Sequence, residues 1–150
     1  MNFDSASRGN PGPSGAGYIV GDDRGDLVVG ASVKLPDGSN NDVEYAAILA
    51  GLSKCIEMGL DNIDIEGVSL NVARTVAHRE PPSWMGRMWM EVICVLADRL
   101  NSFSISHVYR EANKCADFLS NHAIDRQDIQ IVSKEMKAWR ETLTRLFGRG

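Results

Sequence analysis

The sequence predicts a single α/β body: a mixed five-stranded sheet, three antiparallel strands then parallel ones, flanked by helices, with an extra C-terminal helix. Three observations predict it. Before Ser39 the chain carries three apolar runs divided by Gly-, Pro- and Asp-rich turns, the pattern of an antiparallel meander. After Ser39 the apolar period becomes helical and then alternates, giving the order β-β-β-α-β-α-α-β-α. The chain has 150 residues, 43% of them hydrophobic, enough to bury one real core.

The first strand carries Asp4 and ends in Gly9-Asn10-Pro11-Gly12-Pro13, where Gly supplies positive φ and Pro fixes φ, so a turn is expected. Ala16 to Val20 is the second strand, and residues 21–26 form a hairpin loop. Leu27 to Leu35 is the third strand, closed by Pro36-Asp37-Gly38. Ser39-Asn40-Asn41-Asp42 is a cluster of helix-capping residues before a helix from Val43 to Met58, with Ile48, Leu52 and Ile56 on one face and Gly59 at its end. Asn62 to Gly67 alternates as a fourth strand, and a short helix runs from Ser69 to about His78.

Pro81-Pro82-Ser83 breaks the chain and caps a helix from Trp84 to Leu100. Its stripe of Met85, Met88, Trp89, Val92 and Leu96 reads as core. Phe103 to Tyr109 alternates as a fifth strand, and Asn113 caps a helix from Lys114 to about Ile124 that carries Asp117 in its first turns. The last segment, Ile129 to Phe147, spaces Val132, Met136, Trp139, Leu143 and Leu146 by four, three, four and three. That spacing predicts a helix docked on the body, or else a seam to a protein partner or a second copy. The division expected is a domain over 1–125 and a helical extension over 126–150.

A formal net charge of -4 argues against a strongly basic nucleic-acid module, whose affinity comes from Lys and Arg. Metal ions can supply positive charge instead. Cys55, Cys94 and Cys115 are scattered without a CxxC pair, and read as buried free thiols in a reducing compartment. No apolar run reaches membrane-spanning length and no signal peptide is visible, so a soluble intracellular protein, nuclear or cytoplasmic, is expected.

Three carboxylates, Asp4, Glu44 and Asp117, each stand at the end of an element. Singly each has an ordinary reading, a strand-end Asp or a helix-dipole partner. Together on one sheet they would repel unless they shared a cation such as Mg²⁺ or Mn²⁺. Periodicity does not show that they meet.

Four blocks supply what spacing cannot. Residues 2–13 read Asn-Phe-Asp-Ser-Ala-Ser-Arg-Gly-Asn-Pro-Gly-Pro, and residues 40–45 read Asn-Asn-Asp-Val-Glu-Tyr. Residues 66–69 read Glu-Gly-Val-Ser, and residues 107–119 read His-Val-Tyr-Arg-Glu-Ala-Asn-Lys-Cys-Ala-Asp-Phe-Leu. In this order they resemble the type 1 ribonuclease H family, most of all the reverse-transcriptase-associated domains of plant retroelements, over residues 2 to about 123. The resemblance implies a ribonuclease H-like fold. It also implies an active site of four carboxylates holding two divalent ions, which cuts the RNA strand of an RNA/DNA hybrid. By matching motif, Asp4, Glu44 and Asp117 are three of those catalytic, metal-binding carboxylates. Ser5, Asn10, Asn40 and Asn41 are the expected nucleic-acid contacts, since amides both donate to and accept from a 2′-hydroxyl of a hybrid or of double-stranded RNA.

The departures are equally informative. Val68 stands where the third carboxylate belongs, and valine has no lone pair for a hard cation. The resemblance therefore implies Mg²⁺ or Mn²⁺ held weakly or not at all, and hydrolysis impaired or lost. Glu66, two residues earlier, is a poor stand-in because the motif already has a glutamate there. Ser5 replaces a common Gly. Residues 109–113 are too few to present a product-releasing loop histidine, and His107 reads as structural.

Overall fold

The computed structural model describes residues 1–79, 84–125 and 129–132. Within them lie six strands: β1 (Asn2–Ser7), β2 (Gly12–Gly21), β3 (Leu27–Gly38), β4 (Asn62–Gly67), β5 (Ser102–His107) and β6 (Ile129–Val132). They form one sheet in the order β5-β4-β1-β2-β3-β6. β1, β2 and β3 are the antiparallel meander, and β4 and β5 join parallel to β1. The five strands expected from the sequence are all present, in the expected directions.

The sixth is a correction. The spacing predicts a helix from Ile129, but Ile129–Val132 instead pairs antiparallel with β3, Val132 opposite Val29 and Ile129 opposite Ser32. Three of its four residues are β-branched, and the outer side of β3 offers a row of backbone donors and acceptors that only another strand satisfies. Residues 133–147 of the expected helix lie outside the described residues. Two boundaries also move. β2 begins at Gly12 and β3 runs through Pro36 to Gly38, because Gly12 pairs with Gly38 while Ser14 pairs with Leu35. Pro13 therefore faces both Pro36 and Asp37 across a bulge, where a ladder tolerates proline.

Helices cover both faces of the sheet: α1 (Asn40–Glu57), α2 (Leu70–His78), α3 (Trp84–Ala97) and α4 (Lys114–Asp125), the last entered through a 3₁₀ turn at Arg110–Asn113. α1 starts at Asn40, three residues before the Val43 expected from its apolar pattern. Ser39 is the N-cap, accepting from the Asp42 amide at 3.3 Å and donating to Asp42 Oδ2 at 2.8 Å, so Asn40, Asn41 and Asp42 form the first turn. Trp89 Nε1 donates to Asp42 Oδ1 at 3.1 Å, tying α3 to that turn. The core gathers Phe3, Tyr18, Ile48, Leu52, Ile65 and Ile93 between the sheet, α1 and α3.

The core stripe read on α3 is corrected as well. Met90, Ile93 and Ala97 face inward, Trp89 and Leu96 are half-buried, and Met88 and Val92 are 58% and 49% exposed. This helix is apolar on most sides, so its period does not select a face. Packing against α1 and the Trp89–Asp42 bond do. The side chain of Met85 lies outside those described. Of the three free thiols only Cys55 is buried, while Cys94 and Cys115 are half-buried. Among the described residues no helix is long and apolar enough to cross a membrane.

Candidate metal and nucleic-acid site

The site is assembled on β1, with a helix arriving from each face. Asp4 lies opposite Gly17 on β2. A Cβ at Gly17 would stand 2.3 Å from the Ala116 carbonyl oxygen and 2.5 Å from the Ser120 amide. One at Gly15 would stand 2.4 Å from the Ser120 carbonyl. α4 therefore rests directly on a glycine surface, closer than any side chain permits. Ser32 Oγ, fully buried, donates to the Leu119 carbonyl at 2.6 Å and fixes the helix further. This seating brings Asp117, in the first turn of α4, beside Asp4.

From the opposite face α1 contributes Glu44. Ser5 joins the two carboxylates: its backbone N–H donates to Asp4 Oδ1 at 2.8 Å and its hydroxyl donates to Glu44 Oε1. The Ser5 side chain, expected to meet nucleic acid, is thus turned to Glu44. Asn2 pairs with Glu66 across the parallel β1/β4 ladder. Two residues on along both strands, position 68 falls level with Asp4. Val68 is half-buried there, just past the end of β4. Glu66 stays one register step back, accepting from Asn2 Nδ2 at 3.3 Å.

The electrostatics of this cluster are those of carboxylates short of positive charge. Burial, with Glu44 and Asp117 close by, pushes the Asp4 carboxyl up to about 7, against the opposing pull of the Ser5 amide. Burial likewise raises Glu44, with Ser5 opposing. Glu44 Oε2 is buried without a hydrogen-bond partner, an arrangement that costs free energy unless a cation or donor faces it. Asp4 feels both neighbours, yet no three His, Cys, Asp or Glu among the described residues are gathered tightly enough to form a ready cation site. The donor set fits a divalent ion in part: three carboxylates, one with a spare oxygen, and an alkyl group at position 68. It does not complete a four-carboxylate, two-ion centre.

One structural residue of the site has a role that its sequence reading did not anticipate. Asn113, read as a helix cap, is buried and donates from Nδ2 to the Phe3 carbonyl at 2.7 Å while Oδ1 accepts from Asn2 at 3.2 Å. It ties the entry of α4 to β1 on both sides of Phe3, next to Asp4. An Asn four residues before Asp117 carries either meaning, and only the position of β1 separates them. Asn10 is exposed in the turn after β1, and a bidentate pair between Arg8 and Asp125 clips that turn to the end of α4. Asn40 and Asn41 lie in the first turn of α1, near Glu44 in sequence. Their side chains are outside those described. His107 closes β5, and its ring makes a T-shaped contact with that of Tyr109.

Comparison with known proteins agrees with this architecture. The family model described as reverse transcriptase-like matches residues 2–123. A ribonuclease HI of Halobacterium salinarum is 32% identical over 127 residues, covering 82% of this chain and 62% of that protein. The crystal structure of an RNase H1 from the same archaeon superimposes with a TM-score of 0.79 at 32% identity, over 83% of this chain and 95% of that one. LC11-RNase H1, solved in complex with an RNA/DNA hybrid, gives 0.78 at 27% identity, over 83% and 94%. The N-terminal RNase H domain of a Mycobacterium tuberculosis protein gives 0.76 at 27% identity, over 82% and 90%. The chain spans less than two thirds of the length of the curated relatives it matches, 62% of the archaeal protein and 35% of a bifunctional mycobacterial one.

Proposed function

This chain belongs to the reverse transcriptase-like family and is type 1 ribonuclease H-like, and from that premise we propose that it is a nucleic-acid-binding domain for RNA/DNA hybrids or double-stranded RNA whose hydrolysis is impaired or lost. The observation that supports the reading is Val68, level with Asp4 by strand register, where the resemblance implies a further carboxylate. In this reading Asp4, Glu44 and Asp117 hold Mg²⁺ or Mn²⁺ weakly. When bound, such an ion would supply the charge that stabilises a phosphate oxygen. Val68 contributes neither charge nor lone pair to that hold.

Recognition falls to groups outside the carboxylates. Asn10, Asn40 and Asn41 are the contacts to the sugar edges of the duplex, where 2′-hydroxyls distinguish RNA from DNA. Ser5 serves by holding Glu44 and Asp4 in place. With a net charge of -4, little of the affinity comes from phosphate attraction, so binding depends on these polar contacts. The competing reading, a working divalent-metal-dependent hybrid ribonuclease, draws on Asp4, whose carboxyl feels both Glu44 and Asp117.

Two measurements on the intact chain test the proposal. In chelator, labelled RNA/DNA hybrid and double-stranded RNA bind in preference to double-stranded DNA. By calorimetry, Mn²⁺ binds Val68→Asp at least about tenfold more tightly than the wild type, as expected when a charged ligand is restored. Equal affinity for all duplexes removes the recognition half of the proposal. Equal Mn²⁺ affinity removes the metal half.

A further inference from the structure

We propose that Tyr109 is a stacking platform for an unpaired base beside the site, so that the chain favours a hybrid carrying a single-stranded extension over a blunt one. The inference rests on the nucleic-acid-binding reading above and adds a substrate class to it. Tyr109 follows the end of β5, where Gly67 pairs with His107 and the Val108 amide donates to the Gly67 carbonyl at 2.8 Å. Since β1, β4 and β5 run parallel, residues 4, 68 and 108–109 fall on adjacent columns at one end of the sheet. Tyr109 is thereby placed roughly 10 Å from the Asp4 column, two strand spacings away.

Tyr109 is 77% exposed, more than any other large apolar residue described. The backbone is fixed, since Tyr109 holds the extended cap position of the 3₁₀ turn at φ -72° and ψ 154°. The ring is steadied by the His107 imidazole, 5.5 Å away between centroids and inclined at 77°. The two rings meet in a T-shaped contact while the Tyr109 side chain stays open to solvent. Arg110 and Lys114, both exposed, add positive charge next to it in the chain. A fixed, open aromatic with cations beside it is what single-stranded nucleic acid uses, through stacking on the ring and phosphates on the cations. Bases inside a duplex are already stacked on both faces, so the ring serves an unpaired base.

The test uses the intact chain in chelator, with fluorescent hybrids that are blunt or carry a short single-stranded extension labelled with 2-aminopurine. The extended hybrid is expected to bind more tightly than the blunt one, and its 2-aminopurine to be quenched. Tyr109→Ala should lose that quenching and about fivefold or more in affinity for the extended hybrid, the low end of base–aromatic stacking. It should change little on the blunt one, and Tyr109→Phe should behave as the wild type. Thermal unfolding confirms that both variants fold. If Tyr109→Ala binds the extended hybrid like the wild type, or loses equally on both, the stacking role is wrong and the binding reading stands. If the wild type binds neither hybrid, both fall.

Discussion

Gly17→Ala isolates the contact on which the site depends, the seat of α4 on β2. The added methyl would lie 2.3 Å from the Ala116 carbonyl oxygen, 2.5 Å from the Ser120 amide and 2.7 Å from Leu119 Cβ. The first two are backbone atoms of a helix and cannot rotate away. Raising the closest contact even to 3.0 Å requires α4 to retreat by 0.7 Å, and Asp117 retreats with it. Overpacking of this kind costs ~1–3 kcal/mol. At ~2–4 °C per kcal/mol for a domain of this size, a midpoint cost near 2 kcal/mol lowers the melting temperature by about 4–8 °C. The control is Gly30→Ala, whose methyl would meet Ile19 Cγ1 at an ordinary 3.7 Å. It should be neutral or stabilising by ~0.4–1 kcal/mol through the unfolded state. Circular dichroism melts of the three proteins decide it, with carbon-detected NMR titration of Asp4 as a second readout. Gly17→Ala should also lower the Asp4 titration, first by letting water nearer the buried carboxyl and second as Asp117 moves off. A Gly17→Ala protein that melts with the wild type would refute the claim that α4 closes directly on this glycine.

Two further outcomes follow from the same geometry. Between its ordinary 3.8 and about 7, Asp4 keeps a proton in the folded chain that the unfolded chain has released. Metal-free stability therefore falls as pH rises through that window, by up to ~1.4 kcal/mol per unit from this group. Asp4→Asn, which can still accept from the Ser5 amide, should flatten the decline between about pH 4 and pH 7 in urea titrations, and parallel curves would show that Asp4 does not titrate there. Asn113→Ala removes the donor to the Phe3 carbonyl and the acceptor for Asn2 from a buried position, and should cost ~1–3 kcal/mol by chemical denaturation. A loss below ~0.5 kcal/mol, less than even a lost helix cap costs, would mean that neither bond holds α4 to β1.

The meander and the helix–strand alternation were legible because period and turn chemistry are local. Ile63 and Ile65 alternate with acids on β4, and Ser39 through Asp42 announces α1. What was not legible depends on partners distant in sequence. Gly15 and Gly17 read as part of a Gly-rich turn and strand, and their role as the seat of α4 appears only once residues 116–123 lie above them. On α3, apolar residues nearly all round leave the face to be chosen by α1, so Met88 and Val92 face out. The four residues of β6 carry a pattern that continues into a heptad-like spacing, and pairing with β3 overrides it. For the site, chain order and spacing marked Asp4, Glu44 and Asp117 without bringing them together. The resemblance did that, and the fold places them around β1. The orphaned oxygen of Glu44 and the use of Ser5 to hold it had no sequence signal.

On the proposed reading, the Val68 side chain withholds hydrolysis from this scaffold. The most direct measurement is cleavage of a labelled RNA/DNA hybrid in Mg²⁺ and then Mn²⁺ by the wild type and by Val68→Asp. The wild type is expected to leave the hybrid essentially intact, and Val68→Asp to cut its RNA strand. Cleavage by the wild type at a rate that Val68→Asp does not improve would contradict it, and so would a Val68→Asp protein that folds, binds the hybrid and cuts nothing.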